Sequence, residues 1–275
     1  MINDILLTGT PVVPDAPRTL SVGSLEVIYA AGSLRWVRWK GVEVLRGISF
    51  LVRTPGWGTP AASISGLEIT EAHTDFSISY NAHFGTFGKG VSVTICIKGD
   101  AVGSLVADAT ICAEAPFKTN RSGFVILHPL DGFAGTRVRV DHYSAPAQDK
   151  TISLQISPGQ PVMDIRAITH SPVEGLEVET RFAGDIFEME DQRNWTDASF
   201  KTYNRPINLP YPYVLSPNET IKQSVTVNVH GSGIDILPKP AIDLPKIDKQ
   251  RMPRFALPLD TPADAACALR FAELV

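Results

Sequence analysis

The sequence predicts an all-β protein built as a large antiparallel β-sandwich. Apolar and polar residues alternate with period two in Phe76 to Phe84, Val91 to Ile97 and Leu176 to Phe182, and each such segment is typical of a strand with one buried face. Turn dipeptides such as Lys40-Gly41 and Asp131-Gly132 separate the segments. Many strands at roughly ten-residue spacing, joined by hairpin turns, indicate a sandwich or a barrel.

Composition and charge restrict the class of protein further. The 275 residues are 44% hydrophobic and carry a net charge of −4, so the chain can bury a large core and does not fit a disordered segment. The composition does not indicate the clustered basic surface that binds nucleic acid. No apolar run reaches the about 20 residues needed to cross a membrane. Its first residues do not resemble a signal peptide. We therefore expect a cytoplasmic protein without nucleic-acid or membrane partners.

Cysteine usage and motif searches argue against metal chemistry. Cys96, Cys112 and Cys267 lack the spacing of a metal site, and their odd number argues against a disulfide framework. Cys96 and Cys112 stand inside apolar runs and are interpreted as core thiols. Because neither H-E-x-x-H nor a paired C-x-x-C occurs, no metal and no other cofactor is predicted.

A change of composition at Leu237 predicts three parts. Residues 1–236 form the sandwich, and 237–253 form a linker whose recurring prolines cannot join a central strand. Residues 254–275 are expected to form a short strand and a helix that begins at Thr261 with an N-cap pattern. A lone strand and helix cannot bury their own faces. We interpret them as the incomplete start of a second domain, with docking on the sandwich as the alternative.

The densest group of polar residues lies between Phe187 and Tyr203. Phe187 and Met189 are predicted to face the core, so Glu188 and Glu190 share the opposite face. Carboxylates, cations, an amide and an indole in one segment suit a polyol ligand, because they bind hydroxyl groups and stack on a sugar. A surface loop held by its own salt bridges is the alternative. The candidates here are Glu188, Glu190, Asp191, Arg193, Asn194, Trp195, Lys201 and Tyr203.

Two other segments supply candidates. A strand that begins near Arg121 delivers His128 to its end, and histidine is the natural general acid or base near neutral pH. A histidine hydrogen-bonded to the backbone is the alternative. Trp57 lies between two glycines, where its ring stacks on a ligand or caps the core.

The segment after Met189 is also expected to be tightly organised. We predict that Glu190, Asp191, Arg193, Asn194 and Trp195 form one connected, partly buried cluster. A buried Arg193 needs a carboxylate partner, and the nearest in sequence are Glu190 and Asp191.

The segment Phe187 to Tyr203 resembles the signature of the D-apionate lactonase family. Three further stretches are similar to that family: Gly41 to Ile48 with Trp57-Gly58-Thr59, Gly123 to Pro129, and Ile156 to Pro158 with Asp164 to His170. The resemblance implies an N-terminal β-sandwich followed by a TIM-like barrel, which 254–275 would open. It also implies hydrolysis of a branched aldonolactone to its acid in apiose catabolism, with the rest of the polypeptide as a partner.

The resemblance implies roles for the candidates. Glu190 or Asp191 is the base that activates water, and His128, Arg193 or Lys201 stabilises the oxyanion or protonates the leaving alkoxide. The residues expected to bind the sugar or sugar lactone are Trp57, Arg121, Glu188, Asn194, Trp195 and Tyr203.

Two alternatives remain open at this point. The domain is a non-catalytic module that packs on a barrel and shapes its substrate entrance, or it is an enzyme complete in itself. The second alternative follows from a weaker, fold-level likeness to aldose 1-epimerases (galactose mutarotases), which use a histidine acid and a carboxylate base; His128 and Glu190 would be the analogues.

Overall fold

Antiparallel strands joined by short connections make up nearly all of the computed structural model, which describes residues 16–217 and 219–231. These residues belong to one structural unit, Met1–Leu237. The strands are β1 (Arg18–Val22), β2 (Leu25–Ala30), β3 (Ser33–Trp39), β4 (Val42–Arg53), β5 (Ser63–Glu71), β6 (Asp75–Phe84), β7 (Val91–Asp100), β8 (Ser104–Ala113), β9 (Phe117–Thr119), β10 (Arg121–Pro129), β11 (Arg137–His142), β12 (Gln148–Thr151), β13 (Val162–Val173), β14 (Leu176–Ala183), β15 (Phe187–Asp191), β16 (Ser199–Asn204), β17 (Tyr213–Leu215) and β18 (Thr220–His230). A 3₁₀ helix at Gln192–Trp195 separates β15 from β16.

One 16-stranded sheet dominates the described residues. Its strand order is β1-β2-β3-β4-β10-β16-β15-β13-β14-β18-β8-β7-β6-β5, with β11 paired to β13 and β12 to β11, while β9 and β17 form a separate pair. The two ends of the sheet meet through an ion pair between Arg18 on β1 and Glu71 on β5. The result is a nearly closed, barrel-like sandwich, which confirms the all-β antiparallel prediction.

The core follows the period-two alternation of the sequence. In β6 the side chains of Phe76, Ile78 and Tyr80 are buried, and in β7 those of Val93 and Ile95 are buried. Full burial of a large apolar side chain contributes about 1.5–3 kcal/mol relative to exposure. The largest fully buried side chains are Phe76, Phe124, Phe133, Phe182, Phe187, Phe200, Leu20, Leu25, Leu34, Leu45, Ile78 and Ile95.

Cys96 and Cys112 are exposed, so their interpretation as core thiols is wrong. In β7 the buried residues Val93, Ile95 and Ile97 alternate with exposed ones, and Cys96 falls in the exposed phase. Cys112 lies in the same phase of the neighbouring strand, because its cross-strand partner is Ser92.

The predicted linker at 237–253 and the strand-helix unit at 254–275, which contains Cys267, lie outside the described residues and stay predictions. The boundary at residue 236 is likewise a prediction. Neither described range contains a helix long and apolar enough to cross a membrane.

Four adjacent strands, β4, β10, β16 and β15, position the candidate site. Register pairs Arg53 with Arg121 across β4 and β10, and Glu190 with Lys201 across β15 and β16. Cross-strand partners share a face of the sheet, and Leu127, in the same phase of β10 as Arg121, pairs with Lys201. All four side chains therefore lie on one face. The residues between them, such as Phe124, face the core on the other side.

Candidate functional site

A cleft of about 700 Å³ lies over the four strands. Polar, charged and aromatic side chains from the strands and from the connecting segments line it. The lining residues are Leu51, Arg53, Trp57, Arg121, Val125, Gln160, Glu190, Gln192, Trp195, Lys201, Tyr203 and Ile207. Charged groups at its floor and two indoles at its sides give a surface that suits a small polyhydroxylated ligand.

Glu190 and Lys201 form the central ion pair of the cleft. Glu190 Oε2 lies 2.8 Å from Lys201 Nζ, and Glu190 Oε1 accepts a hydrogen bond of 2.9 Å from Trp195 Nε1. Burial, the largest single influence, acts to raise the Glu190 pKa, but Lys201, Trp195 and Arg121 outweigh it and lower the pKa below its ordinary 4.5. Glu190 is therefore a carboxylate at neutral pH.

The pKa of Lys201 is lowered, which favours loss of its proton. Burial is the largest cause and lowers the Lys201 pKa, whereas the bonded carboxylate of Glu190 acts to raise it. The positive charges of Arg53 and Arg121 lower that pKa further. An ammonium group with a lowered pKa is a better proton donor to a leaving alkoxide than an ordinary lysine.

Glu188 lies beneath the cleft and organises its floor. Its side chain is fully buried, and Oε1 accepts hydrogen bonds of 2.7 Å from the Tyr203 hydroxyl and 2.9 Å from the Ile207 N–H. Arg121 Nη2 lies 3.7 Å from the same oxygen. Burial, followed by the bond to Glu188, raises the Tyr203 pKa. The buried carboxylate of Glu188 thus holds Arg121, Tyr203 and the backbone at Ile207 in position.

Arg121 is held between aromatic rings. Its Cζ atom lies 4.3 Å from the centre of the Tyr203 ring and 5.1 Å from that of the Trp57 ring. A guanidinium over aromatic faces is stabilised by cation–π attraction. Together with Glu188, these rings keep Arg121 in one position at the edge of the cleft.

Trp57 has a backbone conformation that bulky residues rarely adopt. Its φ is 65°, inside a tight turn in which the Trp57 N–H donates to Thr54 O and the Thr54 N–H donates to Gly58 O. Its ring meets that of Tyr211 edge-on at 5.2 Å. Such strain concentrates at ligand-binding positions, and here it presents the indole to the cleft.

Trp195 forms the opposite wall and is 70% exposed. It ends the 3₁₀ helix Gln192–Trp195, which Asp191 caps by accepting a hydrogen bond from the Arg193 N–H. The Glu190 carboxylate orients the indole. Because it is so exposed, Trp195 contributes little to the core and is free to contact a ligand.

Asp191 and Arg193, predicted from the sequence as catalytic residues, do not line the cleft and form a structural clamp behind it. Asp191 is fully buried and faces away from the cleft, and Arg193 Nε and Nη2 donate to its two oxygens at 2.9 and 2.7 Å. Arg193 also donates to the backbone carbonyls of residues 153–155. Burial acts to raise the Asp191 pKa, but the bonds to Arg193 and to the Ser157 N–H lower it overall.

The predicted cluster after Met189 is connected as two hydrogen-bonded groups instead of one. Glu190 and Trp195 belong to the cleft, whereas Asp191 and Arg193 tie down the chain behind it. Asn194 donates to Asp191 O and to Ser157 O and lines a smaller depression of about 290 Å³ beside the cleft.

The structure does not bring His128 to the cleft. It is fully buried on the core side of β10, where its ring stacks on Phe133 at 4.6 Å and Nε2 lies 2.8 Å from Thr202 Oγ1. Burial, with a smaller effect of His170, lowers its pKa to about 3. His128 and Glu190 therefore lie on opposite faces of the sheet and cannot act on one ligand.

Sequence reasoning missed several cleft residues. Arg53 ends β4 just before the Trp57 turn, and alternation from Arg53 along that strand would have indicated Leu51. Ile207 and Gln160 lie in irregular segments, for which the sequence offers no signal of position, and Gln192 begins the 3₁₀ helix after β15.

Comparison with known proteins identifies the family. A family model described as the N-terminal domain of D-apionate lactonase matches residues 5–232. The chain belongs to this family. It is 40% identical over 229 residues to the D-apionate lactonase of Brucella anthropi, which covers 83% of this chain but only 38% of that protein. The chain thus spans about 38% of the length of this curated relative.

Solved structures with low sequence identity share the fold of this D-apionate lactonase domain. A Synechocystis sp. PCC 6803 protein has a TM-score of 0.55 at 10% identity, covering 81% of this chain and 99% of that one. An Escherichia coli K12 protein described as a candidate aldose 1-epimerase has a TM-score of 0.52 at 13% identity, covering 79% and 99%. Galactose 1-epimerase from Lactobacillus acidophilus has a TM-score of 0.50 at 9% identity, covering 76% and 92%. Both resemblances seen in the sequence, to the lactonase family and to the mutarotase fold, are confirmed.

Proposed function

We propose that this domain binds a branched sugar lactone in the cleft and takes part in its hydrolysis to the corresponding acid. The observation that carries the proposal is the placement of the Glu190–Lys201 pair and Arg121 on one face of the sheet, between the indoles of Trp57 and Trp195. The 40% identity to a D-apionate lactonase supports an apionolactone-like substrate.

The cleft offers the groups that a sugar lactone needs. The two indoles provide apolar faces for the C–H side of the ring, and the amides of Gln160 and Gln192 provide donors and acceptors for hydroxyl groups. Ile207 closes one edge. These groups bind and orient the ring, which leaves the carbonyl for the charged residues.

Glu190 and Lys201 supply the chemistry of the proposed hydrolysis. The Glu190 carboxylate accepts a proton from water as the water oxygen bonds to the lactone carbonyl carbon, and Lys201 or Arg121 stabilises the developing oxyanion. The ring C–O bond then breaks, the leaving alkoxide takes a proton from Lys201, and the proton held by Glu190 passes to Lys201 across their ion pair. The ring opens to the hydroxy acid, which loses its proton at neutral pH.

A second candidate is binding without catalysis, with the chemistry carried by the rest of a longer lactonase polypeptide. It is favoured by the engagement of both Glu190 oxygens, one by Lys201 and one by Trp195, since a base must exchange one of these partners for water. The epimerase-like alternative loses its proposed acid, because His128 faces the core.

Proton release from D-apionolactone and other aldonolactones tests the proposal. The 275-residue chain is assayed with the Brucella anthropi lactonase as the positive control, and ligand binding is measured by calorimetry. Turnover above the spontaneous rate supports catalysis in this domain, and binding without turnover supports the second candidate. If neither binding nor turnover is seen while the positive control is active, both candidates are wrong.

A further inference from the structure

Positive charge exceeds negative charge in the cleft. The cations that line it are Arg53, Arg121 and Lys201, and Glu190 is its lining carboxylate. Glu188 contacts Arg121 from beneath. Three cations and two carboxylates leave one positive charge without a counter-charge among these groups.

The excess charge is located at Arg53. Among the described residues, no carboxylate lies within 4.0 Å of its side chain, which donates one hydrogen bond to the Trp57 carbonyl. Lys201 and Arg121 each have a carboxylate partner. Arg53 is therefore the cation of the cleft that is free to take an anion from solution.

Arg53 and Arg121 also stand directly opposite each other on β4 and β10. Like charges at directly opposed positions of an antiparallel pair repel each other and destabilise the sheet. Their effect extends to Lys201, whose pKa they lower. An anion between the two guanidinium groups would remove this repulsion, and arginine forks match the two oxygens of a carboxylate.

We infer that the cleft is a site for a sugar acid, whose single carboxylate binds Arg53 and Arg121 while its hydroxyl chain lies between Trp57 and Trp195. The inference deepens the proposed function and rests on it: the open-chain aldonate binds more tightly than a neutral ligand of the same skeleton. A lactone carries no charge, so the acid that hydrolysis produces competes with the substrate. The site favours a monoanion over a phosphate dianion, because only one positive charge is uncompensated.

Calorimetric titration of the 275-residue chain with three probes tests this inference. The probes are sodium D-apionate, apiitol, in which a hydroxymethyl group replaces the carboxylate, and inorganic phosphate. We expect D-apionate to bind at least tenfold more tightly than apiitol and more tightly than phosphate, with an affinity that falls as salt is added. Equal affinities for D-apionate and apiitol, tighter binding of phosphate, or no binding of any probe would each overturn the inference. Lactone turnover, measured separately, decides the proposed function.

Variants of Arg53 test where the carboxylate of the ligand binds. Arg53→Gln should weaken D-apionate at least tenfold and leave apiitol unchanged, whereas Arg53→Lys should retain most of the affinity. Arg137→Gln on β11 is the matched control, because its side chain is 75% exposed and outside the cleft. Thermal melting confirms that each variant is folded. Unchanged D-apionate affinity in a folded Arg53→Gln variant contradicts the assignment.

Discussion

Glu190 and Lys201 occupy directly opposed positions on β15 and β16, and their Oε2 and Nζ atoms are 2.8 Å apart on the floor of the cleft. The pair is partly buried, with side-chain exposures of 24% for Glu190 and 17% for Lys201. Water therefore reaches both groups, and the charges are only partly screened. This combination makes the pair the centre of the proposed hydrolysis.

Glu190→Gln tests the proposed base directly. Glutamine keeps the shape of the side chain but cannot accept a proton at neutral pH, so kcat/KM for lactone hydrolysis should fall by about 10²–10⁴. The measurement is proton release with the spontaneous rate subtracted. Glu177→Gln, an exposed position on β14, is the control and should leave the rate unchanged. Full activity in Glu190→Gln would remove this residue from the mechanism.

Trp195→Ala tests whether the ligand stacks on the indole of Trp195. The side chain is 70% exposed, so its loss should leave the melting temperature nearly unchanged. Aromatic stacking contributes about 1 kcal/mol, and ligand affinity should therefore fall roughly fivefold. Calorimetry measures the affinity, and Trp36→Ala on β3 is the control for loss of an exposed indole elsewhere. A ligand that binds Trp195→Ala as tightly as the parent chain does not stack there.

Arg193→Ala tests the clamp behind the cleft. The change leaves Asp191 fully buried without its guanidinium partner, and breaking a buried pair from one side costs about 3–5 kcal/mol. Urea denaturation measures the loss in the free energy of unfolding. Arg137→Ala, which breaks an exposed pair with Asp149, is the control and should cost about 0–1 kcal/mol. Equal losses in the two variants would show that the clamp is not a buried pair.

His170→Leu tests the pH dependence of stability. Burial lowers the His170 pKa from 6.5 to about 4 in the folded protein. Between these values the unfolded chain binds more protons than the folded one, so stability is full above 6.5 and falls as pH falls. Leucine also replaces a ring whose two nitrogens have no hydrogen-bond partner in the described residues. At acidic pH the variant should have a higher melting temperature than the parent chain, and its stability should fall less steeply as pH falls.

The control for this prediction is His73→Leu, which changes an exposed histidine between β5 and β6. It should leave the slope of melting temperature against pH unchanged. His128 remains buried in the His170→Leu variant, so part of the acid loss persists. An unchanged slope in His170→Leu would contradict the assignment of a neutral imidazole with a lowered pKa at this position.

Alternation allowed much of the fold to be predicted from sequence, because strands such as β6, β7 and β8 bury one face. The same rule placed Glu188 and Glu190 together, as the structure does. It also predicts an exposed Cys96, because Val93 and Ile95 occupy the buried phase of β7. For β10 the rule fails, because residues on both sides of the strand are buried. Alternation places His128 and Arg121 on opposite faces of β10, but the pattern does not indicate which of the two faces is the core.

Convergence of distant segments could not be predicted. Trp57 and Trp195 approach the same cleft because β10 and β16 lie between β4 and β15, and local sequence carries no signal of that strand order. The opposite orientations of Glu190 and Asp191, in contrast, follow from alternation, because Asp191 is in the same phase of β15 as the core residues Phe187 and Met189. They are neighbours in sequence, yet one faces the cleft and the other is buried with Arg193.

Alternation on β4, β10, β16 and β15 separates mutations that change the cleft from mutations that change the core. Side chains that line the cleft, such as Leu51, Val125 and Lys201, are interleaved with side chains that pack the core. A library restricted to the cleft-facing positions would therefore vary ligand preference while leaving core packing intact. Evolution has the same freedom, so the cleft-facing residues can change on an unchanged scaffold, provided that Glu188 continues to hold the floor.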